Sequence, residues 1–164
     1  MSPRFPAMQI IPLGAQPQHA LRLATLHLAE WGHLYTGWNE ATVLAEFAVQ
    51  HSDGRLPTTL IAVEHAALIG SVSLILDDIP SGERLNPWLA SFYVLPEYRR
   101  CGRGDLLLRA AEETLIARGI TTVYLFTQTR APYFAARGWL TCAQTQVAGF
   151  AATMMRRILL PLSR

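Results

Sequence analysis

The sequence predicts one α/β domain over residues 1–164, built on a mixed, mostly antiparallel sheet with helices on both faces, and three observations carry that expectation. The 164 residues are 51% apolar and 16% charged, the length and apolarity of one compact domain with a full core. Residues 58–64 and 68–76 are rich in Val, Ile, Leu and Thr and are joined through a tight His65-Ala66 connection, which reads as a β-hairpin. Residues 88–94 form a further apolar strand that ends before Pro96, turns through Gly102 and Gly104 and restarts as a helix, with a strand at 122–127 after it. Such a crossover makes its two strands parallel and leaves the glycine turn at the carboxyl end of the first.

The remaining elements follow in order. Residues 8–13 form a short apolar first strand, and 18–31 a core-facing helix with Ala20, Leu23, Ala24, His27, Leu28 and Trp31 at helical spacing, closed by Gly32. Asn39 caps a second helix at 40–49, with Val43, Leu44 and Phe47 inward. Ser52-Asp53-Gly54 is turn-prone, and the polar stretch 77–86, with Pro80 and Gly82, is a loop. The helix after the glycine turn, 105–118, presents an inward stripe of Leu106, Leu107, Ala110, Ala111, Thr114 and Leu115. Residues 140–145 and 151–159 suit a closing hairpin, although the second segment is also compatible with a helix by composition.

Composition narrows the function classes. The longest apolar stretches, such as 67–76, are broken by Gly and Ser and fall short of the roughly 20 residues that cross a bilayer. Met1-Ser2-Pro3-Arg4-Phe5-Pro6 has no apolar signal core, so a cytoplasmic protein with a short disordered lead is expected. The two cysteines, Cys101 and Cys142, are expected to be reduced thiols. Cys101 sits among arginines near a helix start, conditions that lower a thiol pKa, but no His stands close in sequence to activate it. All fourteen basic residues are arginine, which removes lysine nucleophiles and Schiff bases. The net charge is only +2 and the arginines form no continuous stripe, so nucleic-acid binding is not expected. No metal-ligand set is assigned.

The glycine turn is the most informative segment. Gly102 and Gly104 let the main chain bend tightly and approach a ligand, and the free N–H groups of the following helical turn point at a negative group placed there. Arg99, Arg100 and Arg103 add positive charge with forks suited to phosphate oxygens. Two spaced glycines can also serve merely to pass a tight corner. The Lys and Ser/Thr of a nucleotide-triphosphate loop are missing, and a dinucleotide fingerprint would need a third glycine where Leu107 stands and an acid after residues 122–127.

What remains is V-x-P-x-x-R-x-x-G-x-G-x-x-L, which resembles the GNAT superfamily of acetyl-coenzyme A (acetyl-CoA) dependent N-acetyltransferases, whose cofactor loop reads Q/R-x-x-G-x-G/A. Arg99, Gly102 and Gly104 fill those positions, and the likeness runs over about residues 60–140, through the short helix at Tyr133-Phe134 to Arg137-Gly138-Trp139. Pro87 and residues 88–94 look like a bacterial branch of that superfamily. The resemblance implies a GNAT-like sheet of six to seven strands whose parallel pair, 88–94 and 123–126, splays to admit the pantetheine arm. Pro96 lacks an N–H and biases Leu95 away from helix, so ladder pairing should end near Val94.

By the same resemblance acetyl-CoA is the co-substrate. Phe92, Tyr93, Val94, Arg99, Arg100, Cys101, Gly102, Arg103, Gly104 and Phe134 are expected to hold it, and the Val94 N–H is expected to polarise its thioester carbonyl. The chain departs from the family where a tyrosine commonly protonates the leaving thiolate: that position is Phe134, with Tyr133 beside it as the candidate donor, about 100° round the helix. No acid falls within 88–94, so the amine's proton is left to Asp77, Asp78, Glu83, Glu64 or His33. Trp31, Tyr35 and Asp77 are assigned to the acceptor, with Trp38 nearby, since paired carboxylates attract a cationic amine and aromatics stack on it. Asp105 would repel a pyrophosphate, and its side chain is expected to point away. The expected activity is acetyl transfer to a small-molecule or peptide primary amine in a ternary complex, by a monomer or homodimer. The alternative is an acyl-CoA binding or sensing module with little turnover.

Overall fold

The computed structural model of the chain describes residues 8–77 and 85–160. Asp78, Glu83, Pro80, Gly82 and the leader at 1–7 lie outside the described residues. The elements are β1 (Gln9–Pro12), α1 (Ala20–Trp31), α2 (Glu40–Ala48), β2 (Thr58–Glu64), β3 (Ala67–Ile75), β4 (Trp88–Val94), α3 (Arg103–Ala117), β5 (Thr122–Thr127), α4 (Ala131–Ala135), β6 (Leu140–Val147) and β7 (Phe150–Ile158). All seven strands join one sheet in the order β1-β2-β3-β4-β5-β7-β6, antiparallel throughout except for β4 beside β5. The closing segment is a strand, not a helix: β7 inserts between β5 and β6, and its inward Ala152 and Met155 are buried.

Helices cover both faces, and β2 shows why its sequence is apolar at nearly every position. Leu60 and Ala62 pack with Leu107, Ala111 and Leu115 of α3, whereas Ile61 and Val63 pack with Leu23 of α1. A strand buried on both faces needs no polar alternation. The β2–β3 hairpin closes through His65 and Ala66, both at positive φ (51° and 63°), without the glycine or asparagine that such turns favour. Asn39 caps α2 as expected, its side chain accepting from the Thr42 N–H at 3.0 Å. The stripe of α3 is rotated from the expected one: Leu107, Leu108, Ala111 and Leu115 are buried while Leu106 is 43% exposed. The helix begins at Arg103 rather than Asp105, and it lies on β2, β3 and β4 together, so the surface that it covers selects Leu108 over Leu106.

Two irregularities shape the middle of the sheet. The parallel strands β4 and β5 are in register only at Trp88 and Tyr124, near the start of each, and a Tyr124 N–H to Pro87 carbonyl bond (3.1 Å) closes that end. Beyond this point β4 has no paired partner on its β5 side among the described residues. The register of β4 on β3 also shifts, from Ser71 opposite Tyr93 to Ser73 opposite Ala90, so β4 carries one extra residue, with Ser91 at φ 49°. This is a β-bulge, a device that re-aims the backbone downstream of it.

Candidate active site

The open side of β4 lines a cleft of about 1380 Å³ that runs from the ends of α1 and α2, across β4 and the start of α3, to β5 and α4. At one end lies the glycine bend. Gly102 adopts a left-handed conformation (φ 79°) at the N-cap of α3, and Arg100 is also at positive φ (65°). The first intrahelical bond is Leu106 N–H to the Gly102 carbonyl (3.2 Å), and no side chain caps the helix. The preceding N–H groups of Arg103, Gly104 and Asp105 are therefore the bare donors of a helix start, carrying its positive dipole end. Gly104 is required by space: a Cβ there would sit 2.9 Å from the Tyr133 hydroxyl and 3.1 Å from Phe92 Cζ.

The three arginines of the bend do different things. Arg99 Nε donates to the Val94 carbonyl at 2.7 Å and its guanidinium lies 5.4 Å from the Tyr93 ring centre, tying down the end of β4. Arg103 turns its guanidinium to Glu64 (2.9 Å) and over the Tyr98 ring (5.1 Å), and this pairing raises its pKa. Glu64, one of the expected proton acceptors, is thereby held on a structural partner. Arg100 is exposed on the cleft wall. Arg99, Arg100, Gly102 and Gly104 line the cleft, while Cys101 is exposed, unbridged, and directs its Sγ to the Arg99 carbonyl (3.4 Å).

In the middle, the Leu95 N–H donates to Ile69 on β3 (2.9 Å). Successive residues of an extended strand point to opposite edges, so the Val94 N–H faces the open β5 side. Phe92, Tyr93 and Val94 all line the cleft there. Opposite them Phe134 is buried with its ring against Trp139 (5.9 Å) and Phe92 (6.0 Å), and carries no proton to give. Tyr133 is half-buried on the wall, 6.0 Å from the Phe92 ring, under a clamp that nothing in the local sequence announces. Arg137 stacks 3.5 Å from the Tyr133 ring centre, donates to the Tyr133 carbonyl (2.9 Å) and pairs with Asp105 (2.5 Å). Burial pushes the Tyr133 hydroxyl pKa up, with Arg137 opposing, so it holds its proton at neutral pH. Asp105 does line the cleft, with its carboxylate drawn onto Arg137.

At the other end Trp31, His33, Tyr35, Trp38 and Asp77 line the cleft together with Glu30 and Glu46 from α1 and α2. Glu46 accepts from Trp38 Nε1 at 3.4 Å, and none of the three carboxylates is ion-paired among the described residues. The floor between the two ends is His27, 1% exposed, with its pKa lowered to about 4 by burial and its Nε2 2.9 Å from Ser71 Oγ.

Comparison with known proteins places this arrangement. A family model described as acetyltransferase (GNAT) family matches residues 22–153. An amino-acid acetyltransferase of Pseudomonas syringae is 38% identical over 84 residues, which are 50% of this chain and 18% of that protein, so the chain spans less than a fifth of the curated relatives it matches. Among solved structures, yncA of Salmonella typhimurium with its cofactor acetyl-CoA superposes with a TM-score of 0.72 at 17% identity, covering 97% of this chain and 98% of that one. N-acetylglutamate synthase of Neisseria gonorrhoeae, complexed with coenzyme A and N-acetyl-glutamate, superposes with a TM-score of 0.62 at 19% identity over 94% of this chain and 36% of its own. No described helix is long and apolar enough to cross a membrane.

Proposed function

The chain belongs to the acetyltransferase (GNAT) family, and from that premise we propose that it moves an acetyl group from acetyl-CoA to a primary amine, which attacks directly while both substrates occupy the cleft. The observation that carries the reading is the meeting, in one cleft, of bare helix-start amides, an unpaired stretch of β4 and a separate acidic, aromatic end. Acetyl-CoA supplies the activated thioester. The residues present fit such a carrier: Arg103, Gly104 and Asp105 offer N–H donors to its diphosphate, Arg100 a guanidinium, and the open edge of β4 main-chain partners for its amide arm.

The chain's own contributions are then positional and electrostatic. The Val94 N–H, held by the Arg99 clamp on the same residue's carbonyl, is a fixed donor for the thioester oxygen, and one such donor lowers a barrier by about 3 kcal/mol. Holding amine and thioester in one cleft contributes the larger part of the acceleration. Tyr133, protonated at neutral pH, donates to the leaving sulfur. Glu30, Glu46 and Asp77 draw in an ammonium and pass its proton to solvent so that the neutral amine attacks, and Trp31, Tyr35 and Trp38 cover it. The likeness to an amino-acid acetyltransferase puts amino acids beside polyamines and aminoglycosides in the panel to be tested.

The test is release of free thiol from acetyl-CoA across that panel. Transfer to at least one amine supports the reading; tight acetyl-CoA binding with silence across the panel favours the binding or sensing module instead.

A further inference from the structure

The buried histidine of α1 sits under the bulge of β4 and is joined to it by a two-bond chain. His27 Nε2 lies 2.9 Å from Ser71 Oγ, and Ser71 Oγ donates to the Ser91 carbonyl at 3.0 Å. His27 and Ser71 are 1% and 0% exposed, so no solvent competes for the bond between them, while the Ser71–Ser91 bond is part-buried at the cleft wall. A carbonyl only accepts, and a serine hydroxyl has one proton, which Ser91 takes. His27 Nε2 must therefore donate, which fixes the neutral ring in its Nε2–H form. Trp31 and Phe47 flank the imidazole edge-on, at 5.2 and 5.9 Å between ring centres, and hold it in place.

Ser91 is a non-glycine residue at φ 49°, a conformation that persists only where its surroundings over-determine it. The extra residue of the bulge lies just before Tyr93 and Val94, and decides which amide of β4 turns towards β5. Loss of the bulge would slip the strand by one residue and turn the Val94 N–H to the wrong edge. We infer that His27 is a positioning residue: through Ser71 it holds the Ser91 bulge, and the bulge aims the Val94 N–H into the cleft. The inference rests on the acetyl-transfer reading for its consequence, though not for its geometry.

The test compares wild type with Ser71→Ala, His27→Leu and His27→Gln, whose side-chain amide can donate from near the Nε2 position. Three readouts apply: affinity for acetyl-CoA, the infrared carbonyl band of bound ¹³C-labelled acetyl-CoA, and kcat against KM for thiol release. Ser71→Ala and His27→Leu should bind acetyl-CoA within about twofold of wild type, return the carbonyl band towards its free position and lower kcat by about 10- to 100-fold, short of the full loss of one donor. His27→Gln should recover most of kcat, and the double variant Ser71→Ala with His27→Leu should be no worse than Ser71→Ala alone. A wild-type kcat and carbonyl band in Ser71→Ala, a loss confined to KM, or additive losses would overturn the inference. If Ser71→Ala does not fold, His27→Gln against the shorter His27→Asn decides, equal losses in both counting against it. If the wild type binds acetyl-CoA but acetylates no amine, the carbonyl band still judges the bulge while the transfer reading falls. Amide hydrogen exchange along β4 needs no ligand at all: faster exchange at Leu95 in Ser71→Ala supports the relay, and unchanged exchange contradicts it.

Discussion

The two ends of the cleft are built from different material. The bend between β4 and α3 offers backbone: bare amides, a left-handed glycine and a second glycine packed under a tyrosine hydroxyl, all within about five residues. The other end offers side chains, Glu30, Trp31, Tyr35, Glu46 and Asp77, drawn from α1, the α1–α2 connection, α2 and the end of β3. A backbone site is written in a short motif and admits few substitutions. A side-chain site is assembled by the fold and can be rewritten one residue at a time.

That contrast can be broken or sharpened at several points. The largest effect is expected at Tyr133, where wall and chemistry meet. Tyr133→Phe removes the proposed proton donor while keeping the ring under Arg137, and should lower kcat by about 100- to 1,000-fold with little change in KM for acetyl-CoA. An unchanged kcat would mean that water protonates the sulfur and that Tyr133 only packs.

The floor titrates in the opposite sense to an ordinary surface histidine. Burial lowers the folded pKa of His27 to about 4 from its ordinary value of 6.5, so below pH 6.5 the unfolded chain binds a proton that the folded one refuses. Stability should therefore fall as the pH drops from about 6.5 to 4, by about 3 kcal/mol at most, and level off below. Thermal unfolding against pH, with His27→Gln flattening that fall, checks it.

The two glycines of the bend should fail for different reasons. At Gly102 a Cβ meets nothing within 4 Å, so Gly102→Ala carries only the left-handed backbone penalty, about 1–2 kcal/mol, seen as a lower Tm and a roughly tenfold weaker hold on acetyl-CoA. The smallest effects separate the arginines. Arg100→Ala, at an exposed guanidinium on the cleft wall, should weaken acetyl-CoA binding about fivefold. Arg103→Ala should leave binding within about twofold and lower stability by under about 1 kcal/mol, because its partner is Glu64. Equal losses of affinity in both would merge the two roles.

How much of this could be read from the sequence follows the same division. The strand that stops before Pro96, the two glycines and the crossover to residues 122–127 are local patterns, and each reappears in the fold at nearly the expected place. The aromatic segment after α1 and Asp77 also reach the cleft as expected. The β4 bulge was not legible, since Trp-Leu-Ala-Ser-Phe-Tyr-Val offers no glycine and the hydrogen bond to the Ser91 carbonyl comes from Ser71, 20 residues away. Nor were the arginine roles: Arg103 finds Glu64 at a separation of 39 residues and Arg137 finds Asp105 at 32, pairings that only the packed sheet creates. His27 read as one more core position of α1, and only its distance to Ser71 shows a polar task. The stripe of α3 was misplaced by part of a turn, because a run of three leucines, 106–108, gives periodicity too little contrast.

The claim on which the rest depends is that the bend after β4 holds the diphosphate of acetyl-CoA on bare amides. Calorimetric titration of acetyl-CoA into wild type and Gly104→Val tests it most directly. A side chain at residue 104 collides with the Tyr133 hydroxyl and Phe92, so the account predicts saturable one-site binding to wild type and a loss of about 5- to 150-fold in the folded variant, matching an overpacking penalty of about 1–3 kcal/mol. Absence of binding to wild type, or undiminished affinity in the variant, would contradict it.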